Sequence, residues 1–419
     1  MMYYLLLLLI SSSLGLQNLE DILKSPKATL KLYQDFKSAE QLTFAAGEDR
    51  MRFGLFRKNA GFVAAANSNT KDRARYGINF FSTMTEEEKA GYLGYNSTGR
   101  EPNPPPPLSS SFSAPPEKLW VKEGAVTSVK NQGDCGSCWT FGAVGGLETR
   151  YKELSGVLRD FSEQEYLDCS YEYNRLRHGC SGGYPDDCYI YSAEYGGRLA
   201  STSDYPYRAV DGKCHFGAVP DSMISHKISD VVYVPRGEAA NIEALSTGSL
   251  SVAFQVTDFF FQYESGIMKD TTCKPRPNHA VSAVGYTPDY VLVKNSWGTG
   301  WGDQGFVKFT RNYHNCGLFD HATYPVLTAT GVADTSESDR ATNYDPDGEG
   351  TTEEEEEEGP TFDPNCKDKA TNCARDNICE GDEDFARNWC RRHCGFCTDG
   401  CPDGTVRCDD GICKHVHMC

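Results

Sequence analysis

The sequence predicts an α+β protein with a helical N-terminal part and a small cysteine-rich module at its C-terminus. Three observations carry this prediction. Residues 48–67 have helical periodicity. Cys138 begins a predicted buried helix, and His279 begins a predicted strand. Ten of the eighteen cysteines fall in residues 366–419. A chain of 419 residues has room for two or three domains, one with a large core.

Cysteine content and charge restrict the setting in which the protein works. Eighteen cysteines point to an oxidising compartment and to disulfides. Most of the net charge of -18 comes from residues 331–365, which hold thirteen acidic side chains and one basic one, Arg340. The sequence offers no basic surface for nucleic acid.

Residues 1–15 are predicted to be a cleaved signal peptide. An apolar run from Tyr3 to Ile10 is followed by small residues through Gly15. The alternative is a membrane anchor, which needs about 20 apolar residues. This run is about half as long, and we expect no membrane span elsewhere.

Residues 16–110 read as a helical region. Six side chains separated by three or four residues lie on one face of a single helix: Glu48, Arg52, Phe56, Asn59, Val63 and Asn67. Glu48 and Arg52 can form an i,i+4 ion pair. Leu30, Tyr33 and Phe36 indicate a second helix. The simplest interpretation is a helical hairpin that packs on itself.

A proline- and serine-rich stretch follows this region. Residues 103–116 are predicted to be extended and exposed, so proteolytic processing is expected between about Leu108 and Pro115. Asn96 begins the one glycosylation sequon and lies before that point.

The sequence Cys135-Gly136-Ser137-Cys138-Trp139 is the feature that organises the rest of the chain. Two cysteines three residues apart also fit a metal site or a redox pair. This local run instead has the signature of a reactive thiol. A helix N-terminus and a neighbouring imidazolium both lower a thiol pKa, and Cys138 precedes apolar residues at helical spacing. Cys138 is therefore the candidate nucleophile.

The partners of Cys138 must lie far along the chain. His279 follows it by about 140 residues, inside the range of about 130–150 known for such pairs. Asn295, before Ser296 and Trp297, can orient the imidazole through its amide oxygen, and Trp297 can shield that contact from water. Gln132 and the Cys138 backbone N–H are candidates for an oxyanion hole.

Residues 111–329 resemble the papain family of cysteine proteases. The matching stretches include 124–126, 161–164, 179–185, 205–207, 297–302 and 324–326. The helical face of residues 48–67 is similar to the pro-region motif of the cathepsin L-like branch. A second motif of that branch follows as Gly77, Asn79 and Phe81, with Thr83 in place of its usual Asp.

This resemblance implies a two-lobed papain-like fold, with a helical lobe and a β-barrel-like lobe on either side of a cleft. It implies an endopeptidase made as a zymogen, with 16–110 as an inhibitory pro-region. Peptide bonds would be hydrolysed through a Cys138–His279 thiolate–imidazolium pair and an acyl-enzyme, with no cofactor and no metal.

The resemblance also implies three disulfides: Cys135–Cys180, Cys169–Cys214 and Cys273–Cys316. Cys188 would then be left as a buried free thiol.

The resemblance further implies the residues that bind substrate: Gly182, Gly183, Tyr184, Pro185, Ala253, Ala280, Trp297 and His321. Tyr184, Pro185, Ala253 and Ala280 would form the walls of an apolar subsite, and His321 its floor. Because histidine titrates near neutral pH, we hypothesise that the preference of this subsite shifts with pH. The alternative is that His321 turns into solvent.

Residues 330–365 are predicted to be a disordered acidic linker, because they hold too few apolar side chains to offset the cost of ordering. Asp345 to Glu349 faintly suggest a calcium loop, but the rest of an EF-hand pattern is absent.

The six cysteines of residues 366–397 have the spacing of the sea-anemone-toxin-like ShKT domain. That resemblance implies the pairs Cys366–Cys397, Cys373–Cys390 and Cys379–Cys394, although a structural zinc site is an alternative. Asp384 and Phe385 stand where channel blockers of that family carry Lys-Tyr, so channel block is not expected. The domain is expected to bind an unknown partner, to tether the enzyme or to act as a stabilising cap. The tail, 398–419, resembles no family securely.

The predicted function is that of a monomeric protease, secreted or lysosomal/endosomal, that acts on proteins and peptides. Its own pro-region would be an intramolecular partner. Two alternatives remain open: an exopeptidase of the same fold, and a binding protein that uses the fold as a scaffold. The second is disfavoured because Gln132, Cys138, His279 and Asn295 are all present.

Overall fold

A computed structural model describes most of the first 347 residues, in eight ranges: 17–69, 71–95, 114–174, 179–196, 199–214, 225–274, 276–334 and 339–347. It also describes the backbone of two short strands, β10 (Thr405–Arg407) and β11 (Cys413–His415), which pair antiparallel. The predicted signal peptide, Asn96 and the cysteines of 366–397 lie outside the described residues. The chain divides into two units, Met1–Asp345 and Pro346–Cys419.

The described part of the N-terminal segment, residues 17–95, contains four α-helices and one 3₁₀ helix (Phe80–Thr83). The α-helices are α1 (Gln17–Lys24), α2 (Pro26–Ala39), α3 (Ala46–Asn67) and α4 (Glu86–Gly91). Five of the six side chains predicted to share one face of α3 are buried, and Tyr33 of α2 packs on Phe56 at 5.2 Å between ring centroids. The second helix indicated by Leu30, Tyr33 and Phe36 is α2, in which Tyr33 and Phe36 are buried and Leu30 is 43% exposed. The segment thus has a small core of its own.

Arg52 holds α3 to the chain that follows it. Its guanidinium forms ion pairs with Glu48, at 2.8 Å, and with Glu88 of α4, and it donates to the Thr83 carbonyl at 3.0 Å. The bond from Arg52, with a smaller effect from the Thr85 amide, lowers the pKa of Glu88 to about 2, although burial acts in the opposite direction. The predicted Glu48–Arg52 pair is therefore one half of a larger network.

The helical lobe of the central region, residues 114–329, is built from α5 (Cys138–Ser155), α6 (Glu163–Asn174) and α7 (Pro185–Glu194). The side chains of α5 are buried from Cys138 to Tyr151. Aromatic rings fill the core of this lobe: Trp139, Tyr151, Phe161, Tyr166, Tyr189 and Tyr191. Such a core fixes α5, and with it the position of its first residue.

The β lobe is a twisted sheet with two short helices, α8 (Glu238–Leu245) and α9 (Asp258–Phe261). Its strands are β2 (Lys118–Leu119), β3 (His226–Val234), β4 (Leu250–Phe254), β5 (Tyr263–Met268), β6 (His279–Tyr286), β7 (Tyr290–Lys294), β8 (Phe306–Thr310) and β9 (Ala322–Ala329). The order is β5-β8-β7-β6-β4-β9-β3, with β2 beside β6. All residues of β4, β6 and β7 are buried, which explains why their sequences are almost wholly apolar.

One further strand of this sheet comes from the N-terminal segment. Strand β1 (Ala74–Tyr76) pairs antiparallel with the edge strand β5, with Ala74 opposite Gly266. Asn79 continues the contact by donating to the Phe261 carbonyl at 2.8 Å. The N-terminal segment is therefore bound to the central region by main-chain bonds as well as by packing.

Three disulfides join loops of the central region: Cys135–Cys180, Cys169–Cys214 and Cys273–Cys316. These are the pairs that the resemblance implied. Cys138 and Cys188 are free and buried.

The start of the predicted linker differs from expectation. Residues 330–334 and 339–345, here called the C-terminal strap, lie against the central region instead of extending into solvent. Tyr344 is only 5% exposed and stacks on Phe306 at 4.0 Å, while Asp334 bonds Tyr151 at 2.6 Å. The linker prediction rested on the acidic composition of this stretch. It was wrong for the strap, because burial of the Tyr344 ring and pairing of the carboxylates offset the entropy cost of ordering the chain. The glutamates of 353–358 lie outside the described residues.

Among the described residues, no helix is long and apolar enough to span a membrane.

Candidate active site

Cys138 is the first residue of α5, and the loop before it is firmly held. The disulfide Cys135–Cys180 closes this loop, and the Gly136 N–H donates to the Cys180 carbonyl at 3.0 Å. A Cβ on Gly136 would lie 2.5 Å from that same oxygen, so the close approach requires glycine. Cys135 thus clamps the loop, while Cys138 keeps a free thiol.

The sulfur of Cys138 is completely buried and is contacted by backbone amides from two directions. Ala280 N lies 3.4 Å from Sγ, and Gly94 N of the N-terminal segment lies 3.3 Å from it on another side. Burial raises the pKa of the Cys138 thiol to about 11, although these amides act in the opposite direction. In this form of the chain, Cys138 is a neutral thiol.

His279 begins β6 and is buried next to Ala280. Its Nε2 lies 2.8 Å from Asn295 Oδ1. Because an amide oxygen only accepts, Nε2 carries the hydrogen, and Nδ1 of the neutral ring has a free lone pair. Nδ1 has no hydrogen-bond partner among the described residues. Burial lowers the pKa of His279 to about 4, against the opposing effect of the Asn295 bond.

The thiolate–imidazolium pair implied by the family resemblance is disfavoured in this form of the chain, because burial raises the pKa of Cys138 and lowers the pKa of His279. The residues are assembled, but burial under the N-terminal segment favours the neutral form of each.

Trp297 covers the His279–Asn295 bond, as predicted. Its ring lies 4.8 Å from the imidazole and is 1% exposed. Phe261 also stacks on the Trp297 ring at an interplanar angle of 5°, and Phe81 of the N-terminal segment meets it edge-on at 4.7 Å. The indole thus keeps water from the bond and also forms part of the binding surface for the N-terminal segment.

Gln132 lies beside the same loop, and Ser296 fixes its orientation. Ser296 Oγ donates to Gln132 Oε1 at 2.7 Å, and Gln132 Nε2 donates to the Cys135 carbonyl at 2.8 Å. The same Nε2 also donates to the Tyr92 carbonyl at 3.1 Å. A carbonyl oxygen of the N-terminal segment therefore already occupies the donor predicted to bind an oxyanion.

The N-terminal segment crosses the cleft at Gly94. The Gly183 N–H donates to the Gly94 carbonyl at 2.8 Å, and the Tyr95 N–H donates to the Asn278 carbonyl at 3.1 Å. A Cβ on Gly94 would lie 1.7 Å from the Gly136 carbonyl oxygen. No side chain fits at this crossing, so backbone alone covers the sulfur.

Tyr95 enters a cavity next to this crossing. Its ring lies 5.6 Å from Tyr184 and 6.0 Å from His321. The cavity is lined by Tyr95, Tyr184, Pro185, Asp186, Tyr233, Val234, Asp320, His321, Ala322 and Thr323. His321 is half-buried and faces this cavity, which disfavours the alternative in which it turns into solvent.

Two predicted wall residues, Ala253 and Ala280, do not line this cavity. They lie opposite each other in the β4–β6 pair, and the Ala280 amide faces the sulfur instead. Asp186 and Tyr233 form part of the wall, joined by a bond of 2.8 Å from the Tyr233 hydroxyl. The sequence motifs did not indicate that Tyr233 would line the cavity in place of the two alanines, because it belongs to strand β3 and lies in none of the motifs.

A buried polar network lies behind the site. Lys294, adjacent to Asn295, donates to Thr127 Oγ1 at 2.8 Å, and Thr127 Oγ1 donates to Glu148 of α5 at 2.6 Å. Lys130 joins Glu148 to Glu163. The network ties strand β7, which ends one residue before Asn295, to the helix that begins with Cys138.

The sequence indicated some of these residues and missed others. Cys138, His279, Asn295, Trp297 and Gln132 meet at one place, as the motifs predicted. The contacts from Tyr92, Gly94 and Tyr95 were missed, because nothing in that short stretch shows which carbonyl or amide will meet the cleft. The role of Ser296 was also missed, although a hydroxyl beside Asn295 is a visible signal.

One group of possible metal ligands occurs among the described residues: Asp270, Cys273 and Cys316. The two sulfurs are bonded to each other, so neither is available as a thiolate.

The burial of Cys138 gives a testable prediction for the full-length chain. With a thiol pKa of about 11, roughly one molecule in ten thousand is a thiolate at pH 7, against a few per cent for a free thiol. Iodoacetamide should therefore alkylate Cys138 at least about a hundredfold more slowly than a model thiol. Mass spectrometry of the intact chain measures the rate, which should rise about tenfold per pH unit up to about pH 11.

The Cys138→Ala chain supplies the background labelling of Cys188. A Cys138 rate that is already high and level from pH 5 to pH 8 would contradict the prediction, because it would require a thiolate in the covered site.

Comparisons with known proteins agree with this geometry. Residues 114–326 match the profile described as papain family cysteine protease. Cathepsin L of Sarcophaga peregrina is 34% identical over 73% of this chain and 94% of its own length, and papain of Carica papaya is 34% identical over 73% and 89%. A recombinant stem bromelain precursor has a TM-score of 0.65 at 32% identity, covering 71% of this chain and 98% of that one. A digestive procathepsin L 3 from Tenebrio molitor has a TM-score of 0.63 at 30% identity, and the match covers 71% of this chain and 99% of that one.

A profile match over half of the chain, relatives at 34% identity and a fold shared with the bromelain precursor lead to one conclusion: this chain is a papain-family cysteine peptidase.

Proposed function

We propose that this peptidase is a cathepsin L-like endopeptidase made as a zymogen, with the N-terminal segment as its inhibitory pro-region. The observation that carries the proposal is the convergence of Cys138, His279 and Asn295 in one buried site, with His279 Nε2 held 2.8 Å from Asn295 Oδ1. The likeness to the bromelain precursor and to procathepsin L 3 supports the zymogen part.

Inhibition follows from what the N-terminal segment occupies. The Tyr92 carbonyl accepts from the amide of Gln132, Gly94 covers the sulfur of Cys138, and Tyr95 forms part of the wall of the neighbouring cavity. A peptide substrate would need these same positions, so the segment must leave before catalysis begins. Residues 103–113 of the predicted processing stretch lie outside the described residues, while its last three residues are described, and the Pro115 carbonyl accepts from the Tyr286 hydroxyl at 2.8 Å.

Removal of the segment would let water reach the site and would reverse the burial that keeps both groups neutral. The thiol proton of Cys138 can then pass to Nδ1 of His279, whose Nε2–H remains bonded to Asn295. The positive end of α5 also favours a thiolate at Cys138. Asn295 acts as a positioning residue throughout.

The thiolate of Cys138 then attacks the carbonyl carbon of the substrate. The C=O electron pair moves to oxygen, and the Gln132 amide and the Cys138 N–H stabilise that oxyanion. The C–N bond breaks as His279 returns its proton to the leaving amine, which gives a thioester. Water, deprotonated by His279, hydrolyses the thioester and releases the acid and the free thiol.

Substrates are proposed to be proteins and peptides bound in an extended form. The Gly183 N–H, which pairs with Gly94 in the zymogen, would pair with the substrate backbone, beside Gly182. A Cβ on Gly182 would lie 2.5 Å from the Gly94 carbonyl oxygen, so this position too must stay bare for a chain to pass. An endopeptidase is preferred to an exopeptidase because the sequence has no clear insertion that would close one end of the cleft.

Residues 366–397 are proposed to form an ShKT domain with the pairs implied by their cysteine spacing, and Asn96 is proposed to be glycosylated. The proposed role of the ShKT domain is to tether the enzyme or to bind a partner. A monomeric, secreted or lysosomal/endosomal enzyme fits the cysteine content and the three disulfides.

The catalytic assignment predicts a strict dependence on Cys138. The full-length chain, acidified with a thiol present, should hydrolyse peptide amides once loss of the N-terminal segment has been verified by mass spectrometry. Cys138→Ala should lower kcat by at least about a thousandfold, and Gln132→Ala by about a hundredfold through loss of one oxyanion donor. Cys188→Ala, which removes the other free thiol found among the described residues, is the matched control and should retain near-normal kcat. No hydrolysis by the processed wild type would overturn the proposed function.

The position of His321 predicts a pH-dependent choice of substrate. A protonated imidazole in the wall of the cavity attracts an aromatic ring more than an aliphatic chain, by about two- to fivefold for a cation–π contact. The ratio of kcat/KM for Tyr over Leu, two residues before the scissile bond, should therefore be higher at pH 5 than at pH 7. Because both substrates use one catalytic site, ionisation of Cys138 and His279 cancels in this ratio.

His321→Ala should make the ratio independent of pH. Equal pH dependence in the variant and the wild type would end the hypothesis.

A further inference from the structure

The C-terminal strap lies beyond the end of the region matched to the family profile, which stops at residue 326. Its contacts are with residues of both lobes. It therefore differs from a linker, which would contact neither lobe.

The first part of the strap is fixed to the helical lobe. Asp334 receives a bond of 2.6 Å from the Tyr151 hydroxyl near the end of α5, and its carboxylate lies 3.3 Å from Arg159. The side chain of Asp334 is 1% exposed. A buried carboxylate is stable only when it is paired, and here an arginine and a phenol supply its partners.

The middle of the strap continues along the loop after α5 and crosses to the start of the central region. The Asp339 N–H donates to the Leu158 carbonyl at 2.8 Å, and the Asp160 N–H donates to Asp339 Oδ2 at 2.8 Å. Further on, the Thr342 N–H donates to the Val126 carbonyl at 2.8 Å, and Ala341 forms a bridge with Thr127. The strap thus lies directly on Thr127, the residue that links Glu148 of the helical lobe to Lys294 of the β lobe.

The last part is fixed to the β lobe. Tyr344 stacks on Phe306 at 4.0 Å and 13°, and its hydroxyl donates to Asp303 Oδ2 at 2.8 Å. Lys308 lies 3.1 Å from the same carboxylate of Asp303. Tyr344 is the one aromatic residue of the strap, and its ring is buried.

From these contacts we infer that the C-terminal strap is part of the catalytic body, and that it clamps the helical lobe to the β lobe through Asp334 at one end and Tyr344 at the other. The N-terminal segment also contacts both lobes, through Gly183 and through the β1–β5 pair. Once that segment has left, the strap remains as a covalently attached segment that crosses between the lobes. The inference does not depend on the catalytic assignment, because it concerns how the lobes are held together.

The test uses the full-length chain with Cys138→Ala, which removes the thiol needed for self-cleavage. Tyr344→Ala deletes the stacked ring and should lower the melting temperature by about 4 °C or more. Tyr344→Phe keeps the ring and loses only the bond to Asp303. Its melting temperature should therefore lie between those of Tyr344→Ala and the parent chain. Val332→Ala changes an exposed side chain of the same strap and should shift the melting temperature by less than about 1 °C. Equal melting temperatures for Tyr344→Ala and Val332→Ala would overturn the inference.

Hydrogen exchange in the same chain supplies a second readout that does not require Tyr344→Ala to fold. The amides of Asp339 and Thr342 donate to main-chain carbonyls, so the peptide covering 339–345 should exchange at least about tenfold more slowly than the same peptide free in solution. In Tyr344→Phe, protection of this peptide should fall while that of the α5 interior stays unchanged. Exchange at the free-peptide rate in the parent chain would show that the strap is not docked, and would overturn the inference.

Discussion

The constraint on which this molecule depends is the covering of one sulfur atom by backbone. Cys138 Sγ is contacted by Ala280 N from the β lobe and by Gly94 N from the N-terminal segment. The crossing chain has no side chain at this point, because Gly94 and Gly136 approach too closely for one. Exclusion of water is then complete, and the thiol stays protonated at a pH where a free cysteine would begin to ionise.

The same covering explains how the site can be fully built and yet inactive. His279 already has the tautomer needed for proton transfer, since Asn295 holds Nε2. Gln132 already presents an amide to a carbonyl oxygen, that of Tyr92. Activation therefore requires little rearrangement of the central region. It requires departure of the chain that covers these groups, after which hydration can stabilise charge on Cys138 and His279.

The parts of this architecture that follow a local rule could be predicted from the sequence. The buried face of α3 follows from helical spacing, and the place of Cys138 at a helix start follows from the apolar residues after it. His279 and Asn295 were found because their motifs are specific. The short strand β1 was missed, because three residues carry little periodic signal and its partner β5 is distant in the chain. Docking of the strap was not predicted, because its acidic composition is typical of a disordered linker. Its one aromatic residue, Tyr344, gave no contrary signal, since its partner Phe306 could not be identified from sequence spacing.

The account is tested most directly at Gly94. In the full-length chain at neutral pH, Gly94→Ala places a methyl group against the Gly136 carbonyl, so the crossing chain must move away from the sulfur. Gly61→Ala is the matched control, because a Cβ there meets nothing within 4 Å. The measurement is the alkylation rate of Cys138 in chains shown by mass spectrometry to be uncleaved and by thermal unfolding to be folded. The account predicts at least a tenfold faster rate for Gly94→Ala and an unchanged rate for Gly61→Ala; equal rates for both variants and the wild type would contradict it.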